Sequence, residues 1–494
     1  MRHITRRYFL KGSAAASATM LFTAQSYSQV VGANDAIRVA VVGFGGRGGD
    51  HISGMLEQKG VRLVALCDAD YEVLEKGKKR LTEESKDKDG KVIPPKLQKI
   101  DTYQDVRRLL EDKNIDAITT ATPNHWHSLL VVWACQAGKD VYVEKPVSHN
   151  VWEGRKAVEA ARKYNRIVQT GTQCRSSPGL IEAIKWLREG NLGKIKLVRG
   201  TCYKPRGSIG KVDAPQPIPQ NINYDLWCGP APMEPLKRKR LHYDWHWVWS
   251  TGNGDLGNQG IHQMDIARWM LGYNALSPRV LSIGGRLGYI DDGETANTQV
   301  IYHDYPEAPL FFEVRGLKTA PYKPLNADMR GIGVGVVAHC EGGYLVNPSY
   351  TECYAYDKDG KLIKEWKGGG DHYANWIKAI RSRNHKDLNA DILEGHLSSA
   401  LCHTGNISHR LGEQKSPNEI LEAIKSDKEK VETYQRMVEH LRENKVDIDQ
   451  TRLTLGVALT MDPATEKFTG TMADAANKLA TREYRKPYVV PENV

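Results

Sequence analysis

The chain has 494 residues, of which 40% are hydrophobic, 26% charged and 8% aromatic. This composition and length indicate two or three globular domains, and they exclude a disordered, collagen-like or disulfide-scaffold chain. The net charge of +10 arises from 69 Lys and Arg against 59 Asp and Glu, and the two signs interleave along most of the sequence, so we predict no nucleic-acid partner.

The first 28 residues have the pattern of an export signal. Thr5-Arg6-Arg7-Tyr8-Phe9-Leu10-Lys11 precedes a run of small and apolar residues, 12–24, that is shorter than a membrane span. A basic start, a weakly hydrophobic centre and small residues near a cleavage point resemble a twin-arginine signal. We therefore expect residues 1–28 to be removed and the mature protein to be periplasmic, with no membrane contact.

Residues 36–171 alternate between short apolar strands and helices. The expected strands are 37–42, 61–68, 115–120, 140–143 and 166–170, and the expected helices are 50–59, 70–84, 104–112, 126–137 and 152–164. This alternation is typical of a doubly wound parallel sheet, so we assign 36–171 to a Rossmann domain. The charged segment 85–96 is expected to lie on the surface.

A glycine-rich turn follows the first strand. Gly43-Phe44-Gly45-Gly46-Arg47-Gly48 has the pattern G-x-G-x-x-G. Gly43 permits a tight turn, Gly45 lets the backbone approach a pyrophosphate, and Gly48 allows close packing of helix and sheet. Asp68 follows the second strand, where its carboxylate would accept hydrogen bonds from a ribose diol and repel a 2′-phosphate. The pattern predicts bound NAD rather than NADP.

The pattern changes after residue 171. A helix (179–189) and a strand (195–203) precede a long loop to about 255, and alternating segments then predict antiparallel strands at 279–288, 297–303, 309–316, 334–338 and 343–346. Helices are expected at 371–383 and 395–411. We assign 172–412 to an α+β substrate domain with a mainly antiparallel open sheet, and 413–494 to an extension that is helical to 446 and irregular from 450.

No metal site is predicted. The eight cysteines include no C-x-x-C pair, which argues against a zinc ribbon or a thioredoxin-type motif. Most of them are expected to be buried apolar residues. The histidines lack metal-ligand spacing with a carboxylate partner.

Four elements together resemble a known family. They are the glycine turn with Asp68, Thr120-Ala121-Thr122-Pro123-Asn124-His125-Trp126-His127, Glu144-Lys145-Pro146, and Gly260-Ile261-His262-Gln263-Met264-Asp265. Their order and spacing are similar to those of the glucose–fructose oxidoreductase, inositol dehydrogenase and rhizopine-catabolism (Gfo/Idh/MocA) family. The resemblance implies an NAD(P)-dependent oxidoreductase acting on CH–OH groups of carbohydrates, assembled as a homodimer or homotetramer through the sheet of the second domain.

The resemblance also implies the catalytic residues. Lys145 would lie beside the nicotinamide and the substrate carbinol, where an ammonium can hydrogen-bond a hydroxyl, with Pro146 following a cis bond as in relatives. His262 would be the general base. Asp265 lies on the same helical face and would orient His262, bind substrate or support packing. Where sugar dehydrogenases of the family have an Asp, this chain has Asn258, which can hold a hydroxyl but accepts no proton, and Asp255 is a candidate replacement.

Further residues are expected around the same site. Thr122 and Pro123 would shape the loop around the cofactor, while Asn124 and His127 either contact the ribose or nicotinamide or only cap the next helix. We also expect cofactor contacts from two residues of the glycine turn, Gly46 and Arg47, and from two residues of the Glu-Lys-Pro motif, Glu144 and Lys145. The aromatic segment 243–249 suits a sugar ring, with a packed core or a subunit interface as the alternative. Residues 204–206 (Lys-Pro-Arg) either line the pocket or pair with surface carboxylates.

Three functions are compatible with these residues. The first is oxidation of a secondary hydroxyl of a sugar, cyclitol or glycoside by a tightly held NAD, since an exported enzyme has no ready pool of cofactor. The second is a redox-neutral glycosidase, lyase or epimerase that works through a transient keto-sugar. The glycosidase relatives replace Glu-Lys-Pro, whereas this chain keeps Glu144-Lys145-Pro146, which favours the first. The third is a carbohydrate-binding protein without catalysis, against which the intact motifs argue.

Overall fold

The computed structural model describes residues 35–318 and 332–494. The predicted signal, residues 1–28, therefore lies outside the described residues. None of the helices within the described ranges has the length and apolar character of a membrane-spanning segment. The described chain forms two large sheets, one parallel and one mainly antiparallel, with helices packed against both.

The first large sheet is built from short apolar strands separated by helices. The strands in this part of the chain are β1 (Ile37–Val42), β2 (Val61–Cys67), β3 (Ser85–Lys86), β4 (Val92–Ile93), β5 (Asp101–Tyr103), β6 (Ala117–Thr120), β7 (Asp140–Val143) and β8 (Val168–Thr170). The helices are α1 (Gly48–Glu57), α2 (Tyr71–Thr82), α3 (Val106–Glu111), α4 (Asn124–Gln136) and α5 (Val151–Lys163).

All six strands of this sheet are parallel, in the order β5-β2-β1-β6-β7-β8. The strand order reverses between β1 and β6, and open α/β sheets bind ligands in the crevice at the carboxyl ends of the strands at such a point. The predicted Rossmann fold is confirmed. The charged segment 85–96 contains the exposed hairpin β3–β4, which lies outside the sheet.

Within residues 35–318 and 332–494, the second sheet has twelve strands. Its strands are β9 (Ile195–Tyr203), β10 (Arg279–Gly285), β11 (Thr298–His303), β12 (Leu310–Arg315), β13 (Val334–Cys340), β14 (Gly343–Asn347), β15 (Glu352–Asp357), β16 (Leu362–Lys367), β17 (Glu413–Lys415), β18 (Leu453–Leu455), β19 (Leu459–Asp462) and β20 (Lys467–Thr469). The sheet is mixed, since β9 pairs antiparallel with β13 and parallel with β12.

The remaining helices pack on both faces of this sheet or connect it to the first. They are α6 (Pro178–Arg188), α7 (Tyr224–Cys228), α8 (Gly254–Asn258), α9 (Gly260–Leu271), α10 (His372–Ser382), α11 (Ile392–Arg410), α12 (Pro417–Ile424), α13 (Lys428–Glu443) and α14 (Ala473–Leu479). Helices α6, α9 and α11 bury one face of the sheet in the largest hydrophobic cluster, which includes Ile184, Met264, Phe312 and Leu401.

Helices α12 and α13 cover the opposite face of the sheet. Tyr434, Met437 and Leu441 of α13 pack against Tyr302 and Phe311 in a second buried cluster. The chain's own extension therefore occupies the part of this face formed by β9 to β12, through which the resemblance implied oligomerisation.

The prediction that residues 450–494 are irregular was wrong. This segment contains β18, β19, β20 and α14, and β18 and β19 both pair with β10. Its last part returns to the first sheet, where Tyr488 and Val490 are buried against Trp126 and its neighbours. Each of these strands is only three or four residues long, and pairing rather than local pattern defines them. The proposed domain boundaries remain predictions.

Candidate functional site

A cavity of about 540 Å³ opens at the carboxyl ends of β1, β2, β6 and β7. One wall follows these strands and includes Gly43, Asp68 and Lys145, and the facing wall comes from the second sheet and its connections. The site therefore lies at the crevice that the strand order of the first sheet predicts.

The glycine turn presents bare backbone to this cavity. Gly43 has a φ of +74°, and a Cβ there would lie 2.8 Å from Cγ2 of Thr122. A Cβ on Gly45 or Gly46 would meet nothing within 4 Å, so both face open space. On Gly48 it would lie 2.1 Å from the Gly43 carbonyl, which keeps the turn tight. This arrangement fits the pyrophosphate of a dinucleotide, which the helix N-terminus of α1 would also attract.

Asp68 lies at the end of β2 beside the glycine turn. Its carboxylate accepts backbone hydrogen bonds from Phe44 and Asp70, each at 3.0 Å, and burial raises its pKa above the ordinary value. The two bonds fix the carboxylate while leaving further lone pairs for a ribose diol. His242, which the sequence analysis did not single out, lines the same end of the cavity and pairs with Asp70 at 2.9 Å.

Lys145 follows β7 and reaches across to the second wall. Its Nζ donates a hydrogen bond to the Asn258 carbonyl at 2.8 Å and lies 3.5 Å from the Asn258 side-chain oxygen. Burial lowers the pKa of Lys145 below its ordinary value, although the charge of Glu144 opposes the shift. The Lys145–Pro146 bond is cis, as the resemblance implied.

Glu144 is a buried carboxylate that connects residues of the cavity wall. Its Oε1 accepts hydrogen bonds from Arg47 at 3.0 Å and from His51 at 3.2 Å. Burial alone would raise the pKa of Glu144, but the His51 hydrogen bond and the charges of His51 and Arg47 hold it well below the ordinary value. Glu144 is thus an anion that anchors Arg47 beside the glycine turn.

His262 on α9 faces the cavity and is only 4% exposed. Burial, and then the charge of Lys145, lower its pKa to about 3. Its Nδ1 is buried without a hydrogen-bond partner among the described residues, and its ring centroid lies 5.2 Å from that of Tyr350. A neutral imidazole of this kind can accept a proton from a bound hydroxyl.

Asp265 does not line the cavity, although it was predicted to be catalytic. Its carboxylate pairs with Arg175 at 2.8 Å and accepts a hydrogen bond from Ser398 at 2.7 Å. Of the three roles left open for Asp265, this geometry fits support of the packing of α9 against α11. Asp255, the candidate replacement for the missing family carboxylate, pairs with Arg206 at 3.0 Å.

The loop after β6 also lines the cavity, but its polar groups already have partners. The Asn124 amide donates to Asn253 at 3.0 Å, and the His127 ring nitrogens lie 2.6 Å from the Pro146 carbonyl and 2.8 Å from the Thr122 carbonyl. His127 therefore ties the loop after β6 to the loop after β7. Thr122 and Pro123 line the cavity, and Thr122 lies directly against Gly43 of the glycine turn.

The far end of the cavity, which we call the substrate end, is formed by Lys145, Lys204, Arg206, Tyr243, Trp245, His246, Asn258, Gln259, His262 and Tyr350. Part of the aromatic segment 243–249 thus lines the cavity, whereas Trp247 is buried outside it. Lys204 donates to the Gln259 side chain at 2.8 Å, and Gln259 donates to the Tyr350 hydroxyl at 2.8 Å. Neither Gln259 nor Tyr350 was predicted from the sequence. No motif marks Tyr350, and only the topology of the second sheet brings it to the cavity.

No metal centre is apparent in the described parts of the chain, where no group of three or more His, Cys, Asp or Glu side chains is arranged as a ligand set. Seven of the eight cysteines are buried and all are free.

Comparisons with known proteins agree with this geometry. A family model described as "Oxidoreductase family, NAD-binding Rossmann fold" matches residues 37–172, and a second, described as "Oxidoreductase family, C-terminal alpha/beta domain", matches residues 194–305. The chain belongs to the Gfo/Idh/MocA oxidoreductase family. The glycine turn and Asp68 are accordingly part of an NAD-binding Rossmann domain.

Three curated relatives are similar to part of the chain. Levoglucosan dehydrogenase of Pseudarthrobacter phenanthrenivorans is 27% identical over 36% of this chain and 38% of its own length. A glycosyl hydrolase family 109 protein of Shewanella pealeana is 24% identical over 39% of this chain and 44% of its own length. Inositol 2-dehydrogenase of Salmonella paratyphi B is 24% identical over 38% of this chain and 52% of its own length. The chain thus spans about half or less of the length of these Gfo/Idh/MocA relatives.

Solved structures share the fold. The WlbA dehydrogenase of Bordetella pertussis, in complex with NADH and UDP-GlcNAcA, aligns with a TM-score of 0.52 at 20% identity over 74% of this chain and 94% of that one. Aldose-aldose oxidoreductase of Caulobacter crescentus, complexed with glycerol, aligns with a TM-score of 0.53 at 17% identity. The alignment covers 75% of this chain and 97% of that one. At this identity the likeness establishes the two-domain fold of the Gfo/Idh/MocA family.

Proposed function

We propose that this protein oxidises a secondary hydroxyl of a sugar, cyclitol or glycoside with a tightly held NAD. The observation that carries the proposal is the Lys145–Asn258 hydrogen bond, which joins the end of β7 to the residue four positions before His262. It brings an ammonium group and a neutral imidazole to the same cavity as the NAD-binding glycine turn. The names of the levoglucosan and inositol dehydrogenase relatives support this substrate class.

Each residue has a definite task in this reaction. Residues of the glycine turn and Asp68 would hold NAD, which would supply the hydride acceptor for the carbinol carbon, and the hydroxyl would have to lose its proton as the carbonyl forms. His262 takes that proton, since it is neutral at physiological pH. Lys145 donates a hydrogen bond to the same oxygen and stabilises its developing negative charge. Asn258 holds Lys145 in place through its carbonyl oxygen.

The cellular setting is also a proposal. The twin-arginine pattern in residues 1–28 supports periplasmic export of the folded, cofactor-loaded protein. A periplasmic enzyme cannot exchange NADH with a cytoplasmic pool, so a retained cofactor would be reoxidised by a second sugar. We keep a homodimer or homotetramer as a proposal, but it would have to use a surface other than the face covered by α12 and α13.

A second candidate is a redox-neutral glycosidase that oxidises a sugar carbon transiently and returns the hydride after cleavage. The similarity to glycosyl hydrolase family 109 proteins favours it. Both candidates need a retained NAD, and they differ in the product. The dehydrogenase leaves a keto-sugar, whereas the glycosidase releases an aglycone without net oxidation.

The deciding experiment begins with the protein purified without residues 1–28 and without added nucleotide. Denaturation should release a stoichiometric amount of NAD(H), identified by chromatography and mass spectrometry. Single sugars, sugar pairs and aryl glycosides are then added while nicotinamide absorbance and products are recorded. Reduction of the bound cofactor by a sugar supports the proposal, and aglycone release without it supports the glycosidase. A protein that binds no NAD would contradict both.

A further inference from the structure

The substrate end of the cavity carries more positive than negative charge. Among the described residues, three cationic side chains belong to the substrate end, namely Lys145, Lys204 and Arg206, and a fourth, Arg47, lines the cavity beside the glycine turn. Two of them are matched by carboxylates, since Arg47 pairs with Glu144 and Arg206 with Asp255, each at 3.0 Å.

The other two cations, Lys145 and Lys204, have only uncharged hydrogen-bond partners, although the charge of the neighbouring Glu144 also acts on Lys145. Lys145 Nζ donates to the backbone carbonyl of Asn258 at 2.8 Å. Lys204 Nζ donates to the side-chain oxygen of Gln259, which follows Asn258 in the chain, also at 2.8 Å. In the described part of the chain, no carboxylate lies within 4.0 Å of either ammonium nitrogen. Two unmatched ammonium groups thus lie against consecutive residues of the same wall.

The neighbouring histidines add no charge that would compensate for this excess. Burial lowers the pKa of His246 to about 3. For His262, burial, the charge of Lys145 and, more weakly, that of Lys204 lower the pKa to about 3 as well. Both rings are neutral at physiological pH. NAD⁺ would add a positively charged nicotinamide ring beside Lys145, while its two negative phosphate charges would lie at the glycine turn.

We propose that the substrate carries an anionic group, a carboxylate or a phosphate ester, and that Lys204 is the residue that binds it. An ammonium group has three donors, and Gln259 uses one of them, so two remain for an anion. Holding the Lys204 ammonium group in a partly dehydrated cavity without a carboxylate costs free energy. A charge-assisted hydrogen bond to an anionic substituent would offset this cost. The inference rests on the proposed function, because it specifies the substrate class of the same site.

The test compares sugars that differ only in charge. Calorimetric titration of the NAD-loaded protein would measure Kd for glucose, glucuronate and glucose 6-phosphate, and for galactose, galacturonate and galactose 6-phosphate. We expect an anionic member of at least one series to bind about tenfold or more tightly than its neutral parent, with the preference shrinking as salt is raised. Whether the uronate or the phosphate binds identifies the anionic group.

Three variants assign that preference to Lys204. Lys204→Met should abolish most of the preference, Lys204→Arg should retain a larger part of it, and Lys237→Met, an exposed lysine outside the cavity, should match the wild type. The NAD content of each variant is measured to confirm that the cofactor site is intact.

Two results would overturn the inference while leaving the proposed function standing. They are equal binding of neutral and anionic sugars by the wild type, and an equal loss of both in Lys204→Met, which would mean that Lys204 only positions Gln259. If no sugar in either series binds, the inference fails, whereas the carbohydrate function is decided by the separate experiment with sugars, sugar pairs and aryl glycosides.

Discussion

At the scale of single residues, the site combines an ammonium group and a neutral imidazole in one buried cavity. Lys145 and His262 both have lowered pKa values, and in each case burial is the main cause. The shift brings the pKa of Lys145 closer to neutral pH, whereas it makes His262 a weaker base than a free imidazole. The chemistry therefore depends on how far each side chain is removed from water, which the sequence motif alone does not specify.

Removing either group should stop turnover without releasing the cofactor. Lys145→Ala and His262→Ala are each expected to lower kcat by at least about 100-fold, while NAD binding persists because neither residue belongs to the glycine turn. Stopped-flow reduction of the bound cofactor and its stoichiometry would be measured on the same samples. Near-wild-type rates in both variants would contradict the site assignment.

The pH dependence should reflect the shifted values. Because the pKa of His262 is about 3, it stays neutral as pH falls from 7 to 5, and kcat/KM should show no acid limb near 6.5. Lys145 should lose its proton below the ordinary value of 10.5, so activity should fall on the alkaline side at a correspondingly lower pH. An acid limb near 6.5 that disappears in His262→Asn would show that the imidazole is solvated.

Cofactor choice should depend on Asp68. Asp68→Ala removes the carboxylate that repels a 2′-phosphate, so the ratio of NADP to NAD affinity is expected to rise. The variant also frees the Phe44 and Asp70 amides, and Asp68→Asn is the control that retains hydrogen bonding without charge. Fluorescence titration with NADH and NADPH measures the ratio. An unchanged ratio in both variants would remove Asp68 from cofactor discrimination.

At the scale of elements, helix α13 is held on the second sheet by a buried ion pair. Glu313 of β12 and Arg436 of α13 are 2.6 Å apart and almost fully buried. Burial would raise the pKa of Glu313, but the charges of Arg436, Arg315 and Arg199 lower it to about 2. The pair stabilises the fold above the ordinary pKa of 4.5, and that contribution is lost as pH falls towards 2.

Arg436→Met should therefore lower the free energy of unfolding substantially. We expect a loss of about 3 kcal/mol at pH 7, since breaking a buried pair leaves a carboxylate with fewer partners. The loss should shrink as pH falls below 4.5. Arg442→Met on the same helix is exposed and serves as the control. Urea unfolding at several pH values would measure both, and equal stabilities of the two variants would contradict the role of the pair.

How well the sequence predicts each of these elements depends on how much of the element is buried. Strands such as β1 and β7 are almost entirely buried and rich in β-branched and aromatic residues, so the sequence predicts their bounds to the residue. Strand β16 was missed because five of its six residues are exposed, which leaves no apolar pattern. In the site, motifs mark Lys145 and His262, whereas Tyr350 has no local signal, and Asp265 looks catalytic until its partner Arg175 is seen.

At the scale of the whole molecule, the extension takes the position that the resemblance assigned to a partner subunit. The apolar side of α13 buries Tyr434, Met437 and Leu441 on the sheet. A contact within one chain stabilises the fold independently of protein concentration, whereas a contact between subunits does not.

Met437→Arg should accordingly lower the melting temperature by the same amount at every protein concentration. The buried charge and lost packing cause the destabilisation. Ile363→Arg on β16, where the native side chain is 50% exposed, is the control and should have little effect. Scanning calorimetry over a wide range of concentrations would test this, and a shift that grows on dilution would indicate that α13 contributes to an interface between subunits.

The return of residues 484–490 to the first sheet has a consequence for biosynthesis. Tyr488 packs edge-on against Trp126 at 5.5 Å between ring centroids and has no exposed surface. The core beside α4, which carries part of the cavity wall, is thus completed only after residues 484–490 have left the ribosome. Cofactor capture would then be a late event, and incompletely synthesised chains would be recognisable by their failure to retain the dinucleotide.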